Sequence, residues 1–306
     1  MIISASRRTD IPCYYSDWLF RRLEAGFVCT RNPRDPRQIS RISLSPEVVD
    51  GIVFWTKNPL PMLDKLPLLD DFPFYFQFTL TPYGKDLEPG VPSKSEVLIP
   101  AFQQLSKLTS PEQVLWRYDP ILLTPKYTVQ YHIHYFEALA KRLSGYTRKC
   151  TISFVDLYRH LGGQFQSLGK GEIYELAGRF SDIAARYSLT LETCSEAIDL
   201  SRFGIAHGCC IDGNLFETIT GQPLSLTKDK NQREECSCVS SIDIGMYDSC
   251  PNGCRYCYAN HAPAAVGRNF RAHDPSSPLL YGNLRPEDVV KERAVLSCAQ
   301  QQLQFL

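Results

Sequence analysis

At 306 residues the chain is long enough to bury one large core or two smaller ones. Lys plus Arg and Asp plus Glu stand at 33 each, so the surface lacks the excess positive charge that draws a protein to nucleic acid irrespective of sequence. No stretch is long and apolar enough to cross a bilayer, and polar Ser4 followed by Arg7 and Arg8 argues against a secretory signal. The expectation is a cytoplasmic protein without membrane contact, whose twelve cysteines serve metal binding rather than disulfides.

Short runs of β-branched and aromatic residues predict strands over Ile2 to Ser6, Gly51 to Thr56, Phe74 to Thr81, Gln113 to Tyr118, Cys150 to Val155 and Leu189 to Cys194. Helix-period segments lie between several of them, over Ser16 to Ala25, Ser93 to Leu108, Val129 to Leu143 and Gly171 to Tyr187. In the first of these Ser16 is the expected N-cap, and Gly26 is placed to close the helix. Alternating strands and helices predict an α/β fold with a parallel sheet, a TIM-like partial (β/α) barrel being preferred over a doubly wound sheet. Residues 1–200 make the barrel core. Residues 201–306 form a cysteine-rich segment with one more strand-like run, Ser240 to Met246, and a helical end over Pro286 to Leu303, the whole being one integrated domain.

The preference for a barrel rests on the polar residues at the end of each strand. Ser6, Arg7 and Thr9, then Thr56 and Lys57, then Arg117 and Asp119, then Glu192 and Glu196 would all face one rim, where barrel enzymes assemble their sites. Arg117, Asp119 and Glu192 are the candidate catalytic residues. The competing explanation is that chains turn polar wherever strands end. The first 41 residues also carry eight arginines against four acids, consistent with an anion site or with a solvated arginine face.

Eight of the twelve cysteines fall between residues 194 and 257. Cys250, Cys254 and Cys257 make a C-x3-C-x2-C loop whose Pro251, Asn252 and Gly253 permit the sharp turns that bring three thiolates together. A cubane 4Fe–4S cluster ordinarily takes four cysteines, so three leave one iron open. Zinc completed by another cysteine or by His261 is the alternative. Of the others, Cys194, Cys210, Cys236 and Cys238 are the expected ligands of a second cluster, with Cys209 spare and a zinc site on the same residues as the rival reading. Cys13, Cys29, Cys150 and Cys298 are read as ordinary core or surface residues, and His132 and His134 as structural.

The triplet spacing, with Tyr256 just before its last cysteine, resembles that of the radical S-adenosylmethionine enzymes. The resemblance implies that the open iron chelates the amino and carboxylate groups of S-adenosylmethionine, and that an electron from the reduced cluster splits a carbon–sulfur bond to start radical chemistry. It also implies an electron donor such as flavodoxin or ferredoxin and a small-molecule or peptide substrate. The stretches Ser4 to Pro12, Ile52 to Pro59, Trp116 to Ile121, Thr193 to Glu196 and Ile242 to Asn260 resemble the bacterial domain of unknown function 1848 (DUF1848) family. In radical enzymes the cysteine loop comes after the first barrel strand, whereas here 49 residues remain after Cys257. A circular permutation reconciles the two if Ser240 to Met246 lies beside Ile2 to Ser6. Ser6, Arg7, Thr9, Thr56, Lys57 and Tyr256 are then the expected cofactor-binding residues. A non-catalytic zinc or iron–sulfur protein remains a second reading, and nucleic-acid repair or modification, with Trp55, Tyr83 and Trp116 as stacking platforms, a third.

Overall fold

The computed structural model describes residues 1–299. In chain order the elements are β1 (Ile2–Ala5), α1 (Ile11–Tyr14), α2 (Ser16–Glu24), β2 (Phe27–Arg31), β3 (Gln38–Ser43), β4 (Gly51–Thr56), β5 (Phe74–Thr79) and α3 (Ile99–Leu108). Next come β6 (Val114–Ile121), α4 (Val129–Leu143), β7 (Lys149–Phe154), α5 (Lys170–Arg186), β8 (Thr190–Cys194), β9 (Ala206–Gly208), α6 (Gly213–Thr220), β10 (Ser241–Asp243), α7 (Pro263–Arg271) and β11 (Val289–Glu292). Eight strands form one parallel sheet in the order β10-β1-β4-β5-β6-β7-β8-β9, curved but not closed, which is a partial barrel. All six expected strands are present. The late strand also lies where a permuted barrel requires it, Ile2 pairing with Ser241 and Ser4 with Asp243.

Period-two alternation gives the sheet two different faces. Ile3, Ile52, Phe54, Phe76, Trp116, Tyr118 and Ile152 point to the helices and join one large core with Trp18, Phe102, Phe136 and Phe180. Phe136 and Phe180 stack at 3.9 Å and Trp116 lies 5.0 Å from Phe136, so truncating Phe136 would cost about 3–5 kcal/mol. Helix α4 shows how local signals serve this packing. The Thr128 hydroxyl accepts from Tyr131 N at 3.2 Å, and Ile133, Phe136, Ala140 and Leu143 fall on one buried stripe.

The inner face is apolar only at its base. There Ile2, Val53, Tyr75 and Leu115 pack on Ile211 and Phe216, so α6 plugs the open barrel from below. Asp212 caps α6 by accepting from Asn214 N at 3.0 Å. Gly51 is required beneath it, because a Cβ there would come within 2.1 Å of the Phe216 ring.

Two local expectations are corrected. Ser16 does not cap α2 but opens it, its hydroxyl donating to Pro61 O at 3.1 Å; Gly26, with φ +74°, does come directly after the helix end. The segment from Pro286 is not helical in its described part: Val289–Glu292 is a strand paired in parallel with β3, and residues 300–303 lie outside the described residues. Its β-branched Val289 and Val290 suit that pairing. The second sheet, β11-β3-β2, and helices α6 and α7 were not anticipated. Among the described residues no helix is long and apolar enough to cross a membrane.

Candidate metal and cofactor site

A cavity of about 460 Å³ opens at the C-terminal ends of the parallel strands. Seven cysteines line it: Cys250, Cys254 and Cys257 from the loop after β10, and Cys194, Cys210, Cys236 and Cys238 from β8 and the inserted segment. Cys209 does not reach it, and neither do Cys13, Cys29, Cys150 or Cys298. Ser6, Arg7, Thr9, Thr56, Lys57, Arg117, Asp119 and Tyr256 line the same space.

The cysteine loop is held from two directions. Asn260 Nδ2 donates to Cys250 O at 2.7 Å and Ala259 N to Cys257 Sγ at 3.4 Å. From the other side Gly90 N donates to Asn252 O and Arg255 N to Leu87 O, both at 2.9 Å. Gly90 has no room for a side chain, since a Cβ would stand 2.8 Å from Asn252 O. Asp10, buried between the loop and β4, accepts from Lys57 N at 2.8 Å and Asn252 Nδ2 at 3.2 Å, and its burial pushes its carboxyl up to about 6.

Beside Cys254 lies a network that the sequence did not disclose. Glu88, fully buried, takes Lys57 Nζ at 2.7 Å and the Thr81 hydroxyl at 2.9 Å, and is also bonded by Lys94 and the Tyr256 hydroxyl. Lys57 Nζ reaches Tyr256 Oη at 3.0 Å. Burial alone would raise Glu88, but Lys57 and Lys94 outweigh it and bring the carboxyl to about 2. Glu88 sits in a Pro- and Gly-rich connection with no periodic pattern to mark it.

The other cysteines gather on the far wall. Cys194 Sγ and Cys210 Sγ are 2.9 Å apart, and Cys210 N and Ile211 N point at Cys238 Sγ at 3.2 and 3.4 Å. A hydrogen bond from Cys238 brings Cys236 down to about 7. Arg117 Nη1 stands 2.8 Å from Cys210 Sγ, and Nε donates to Asp119 at 3.1 Å. Glu196, its Oε1 accepting from Phe154 N at 2.8 Å, is pushed up to about 7 by burial.

Several expected residues have other roles. Glu192 does not line the cavity; it lies lower on the inner face, bonded to Thr151 at 2.9 Å and to Lys149 at 3.0 Å, and Lys149 in turn reaches Asp212, the cap of α6, at 3.5 Å. Ser6 Oγ and Arg7 N are taken up by Asp243, at 2.6 and 2.9 Å. Of the eight early arginines only Arg7 and Arg8 reach the cavity; Arg31 pairs with Asp288 at 2.6 Å, Arg41 with Glu292 at 2.5 Å and Arg37 with Asp35 at 3.8 Å. Tyr83 and Trp116 are buried core residues and cannot stack on a base, which leaves Trp55 alone of the three on the cavity wall. His132 is structural as expected, between Tyr118 Oη at 2.8 Å and Leu122 O at 2.9 Å, while His134 is exposed. His261 pairs with Asp248 at 3.3 Å instead of joining the cysteines.

A family model matches residues 2–259, that of the domain of unknown function DUF1848. The chain belongs to this family. No curated protein matches. Among solved structures, a Bacteroides thetaiotaomicron protein provisionally named an alpha-L-fucosidase is 12% identical, covering 73% of this chain and 81% of its own, with a TM-score of 0.29. A superposition this loose carries nothing over to the DUF1848 chain.

Among the described residues no three His, Cys, Asp or Glu side chains converge as a ready-made single-ion site. The thiols lie on the wall in two groups, the triplet of the loop and the quartet opposite it. Thr9 Oγ1 and Asn260 Oδ1, both buried, have no hydrogen-bond partner among the described residues, and Thr9 faces the cavity. A soft, thiol-rich donor set with an unsatisfied polar atom beside it fits an iron–sulfur group and a polar ligand next to it.

Proposed function

We propose that this chain is a radical S-adenosylmethionine enzyme acting on a small molecule or peptide in the cytoplasm. Cys250, Cys254 and Cys257 would hold a 4Fe–4S cluster with one iron left for S-adenosylmethionine, and Cys194, Cys210, Cys236 and Cys238 a second 4Fe–4S cluster. The observation that carries the reading is that two cysteine groups, separate in sequence, line one cavity at the strand ends.

When reduced and bound, the open cluster supplies the single electron that starts radical chemistry on the cofactor. The protein's part is to bind, orient and shield. Thr9 Oγ1 is the unpartnered donor for a polar ligand at the end of β1. Asp243 fixes the Ser6 and Arg7 wall, and Trp55 gives the cavity one aromatic side. Across the cavity Glu196, with Oε1 tied to Phe154 N, has Oε2 left to hold or pass a proton. A flavodoxin or ferredoxin is the proposed reductant.

The test is anaerobic reconstitution and then reduction with S-adenosylmethionine present. Brown protein with acid-labile sulfide that releases 5′-deoxyadenosine supports the reading. Colourless protein binding zinc stoichiometrically would replace it with a structural metal role.

A further inference from the structure

The network behind the cysteine loop is unbalanced. Two lysines, Lys57 and Lys94, share the single carboxylate of Glu88, whose side chain is 0% exposed. Their own side chains are 13% and 21% exposed, and the other partners, Thr81 and Tyr256, are hydroxyls. Within this network one positive charge is therefore left over, since Asp10, the other carboxyl beside the loop, is held by Lys57 N and Asn252 Nδ2 and not by either ammonium, and a partly buried charge is costly unless something of opposite sign faces it. Tyr256 sits between Cys254 and Cys257 in the chain, and the segment bearing Glu88 is latched to the same loop by the Gly90–Asn252 and Arg255–Leu87 main-chain bonds. The surplus charge is thus fastened to the three thiols.

We propose that Lys57, Glu88 and Lys94, joined to the loop through Tyr256, form a cationic brace that raises the reduction potential of the centre on Cys250, Cys254 and Cys257. The inference rests on the function proposed for this site only in requiring a redox-active cluster there. The step it acts on is uptake of one electron by the centre from an external reductant, with no bond made or broken. A fixed positive charge nearby stabilises the added electron, and a site shielded from water weakens that effect little. Lys94 is the residue to change, because it touches Glu88 from outside and does not line the cavity.

The experiment loads wild type, Lys94→Met and Lys94→Arg anaerobically, matches them for iron and sulfide, and titrates each with dithionite through low-potential dye mediators. The midpoint of Lys94→Met should fall, the reduced fraction at a fixed potential dropping about tenfold, or about 59 mV for a one-electron couple. Lys94→Arg should stay near wild type, because charge and not shape sets the value. Equal midpoints for all three, or an equal fall in both variants, would overturn the brace. If Lys94→Met fails to load, Lys94→Gln takes its place with the same expected fall. Wild type that takes up neither iron nor sulfide defeats both the brace and the radical reading. A loaded protein with an unmoved potential defeats the brace alone.

Discussion

The two cysteine groups share a cavity but are built in opposite ways. Cys250, Cys254 and Cys257 lie within eight consecutive residues and owe their convergence to local turns, whereas Cys194, Cys210, Cys236 and Cys238 meet only because β8, the α6 plug and the inserted loops fold against one another. Their electrostatic settings differ as well. Beside the triplet two lysines answer one carboxylate, and beside the quartet Arg117 is answered by Asp119. On the first side one lysine ammonium has no carboxylate of its own, while on the second the guanidinium and the carboxylate match one to one. A loop-borne donor set should therefore survive changes that a fold-borne set does not.

The largest effect expected is from Cys254→Ser. It should abolish S-adenosylmethionine cleavage and lower the iron count from about eight to about four per chain, the quartet keeping its share. Iron and sulfide analysis checks this, and loss of all the iron would break the asymmetry. The Cys236→Ala, Cys238→Ala double variant should also leave about four irons, with the signal of the triplet centre intact. An unchanged count would rule out the second cluster. Because Cys236 and Cys238 are buried against Ile211 and Phe216, this variant should also lose stability to urea, which Cys254→Ser should not.

Next in size is Arg117→Met. With its guanidinium gone, Asp119, half-buried and still bonded by Ser153, loses its charge partner, at a cost of about 3–4 kcal/mol in urea unfolding. The double variant Arg117→Met, Asp119→Asn should recover most of that loss. A double variant no more stable than the single would show that the pair does not balance the quartet wall.

The contrast also explains what was legible in the sequence. The strands β1 and β4 to β8 could be read because each is a short run rich in β-branched and aromatic residues, and most of their rim residues are found where those runs stop. The triplet was visible as a spacing. The membership of the quartet could be guessed from cysteine density, but its placement on the cavity wall depends on α6, whose single buried aromatic, Phe216, gives no helical stripe to recognise. Glu88 was invisible for the same reason that it matters: nothing in a turn-rich stretch marks a carboxylate that tertiary structure buries between two lysines. Glu192 was misjudged because a strand-end acid and an inner-face acid one turn of the pleat lower look alike in a linear chain. β11 was missed because four exposed residues form a strand only by pairing with β3.

The smallest effect asks whether the walls also differ in acid. Strand β6, which carries Arg117 and Asp119, is pinned through Tyr118 to His132, a fully buried imidazole whose burial brings it down to about 4. No such histidine stands behind β1 or β4 among the described residues. In the fold His132 stays neutral between its folded value and the usual 6.5, while in the unfolded chain it takes a proton over that window. The unfolded state then binds more protons, so stability rises with pH, is fully present above about 6.5 and is lost as pH falls toward 4. The size of the His132 contribution is about 3 kcal/mol. Asp10 and Glu196, whose carboxyls burial raises to about 6 and about 7, slope the other way over the same range, so the His132 contribution is read as a difference: the stability gap between wild type and His132→Gln in urea unfolding of the metal-free protein should widen in favour of wild type as pH rises from about 4 to 6.5. Hydrogen exchange at about pH 5, inside that window, should loosen β6 and β7 before β1 and β4. A gap that does not change with pH, or loosening that begins at the triplet wall, would mean that acid acts through the cysteine loop and that the scaffold does not distinguish the two sides.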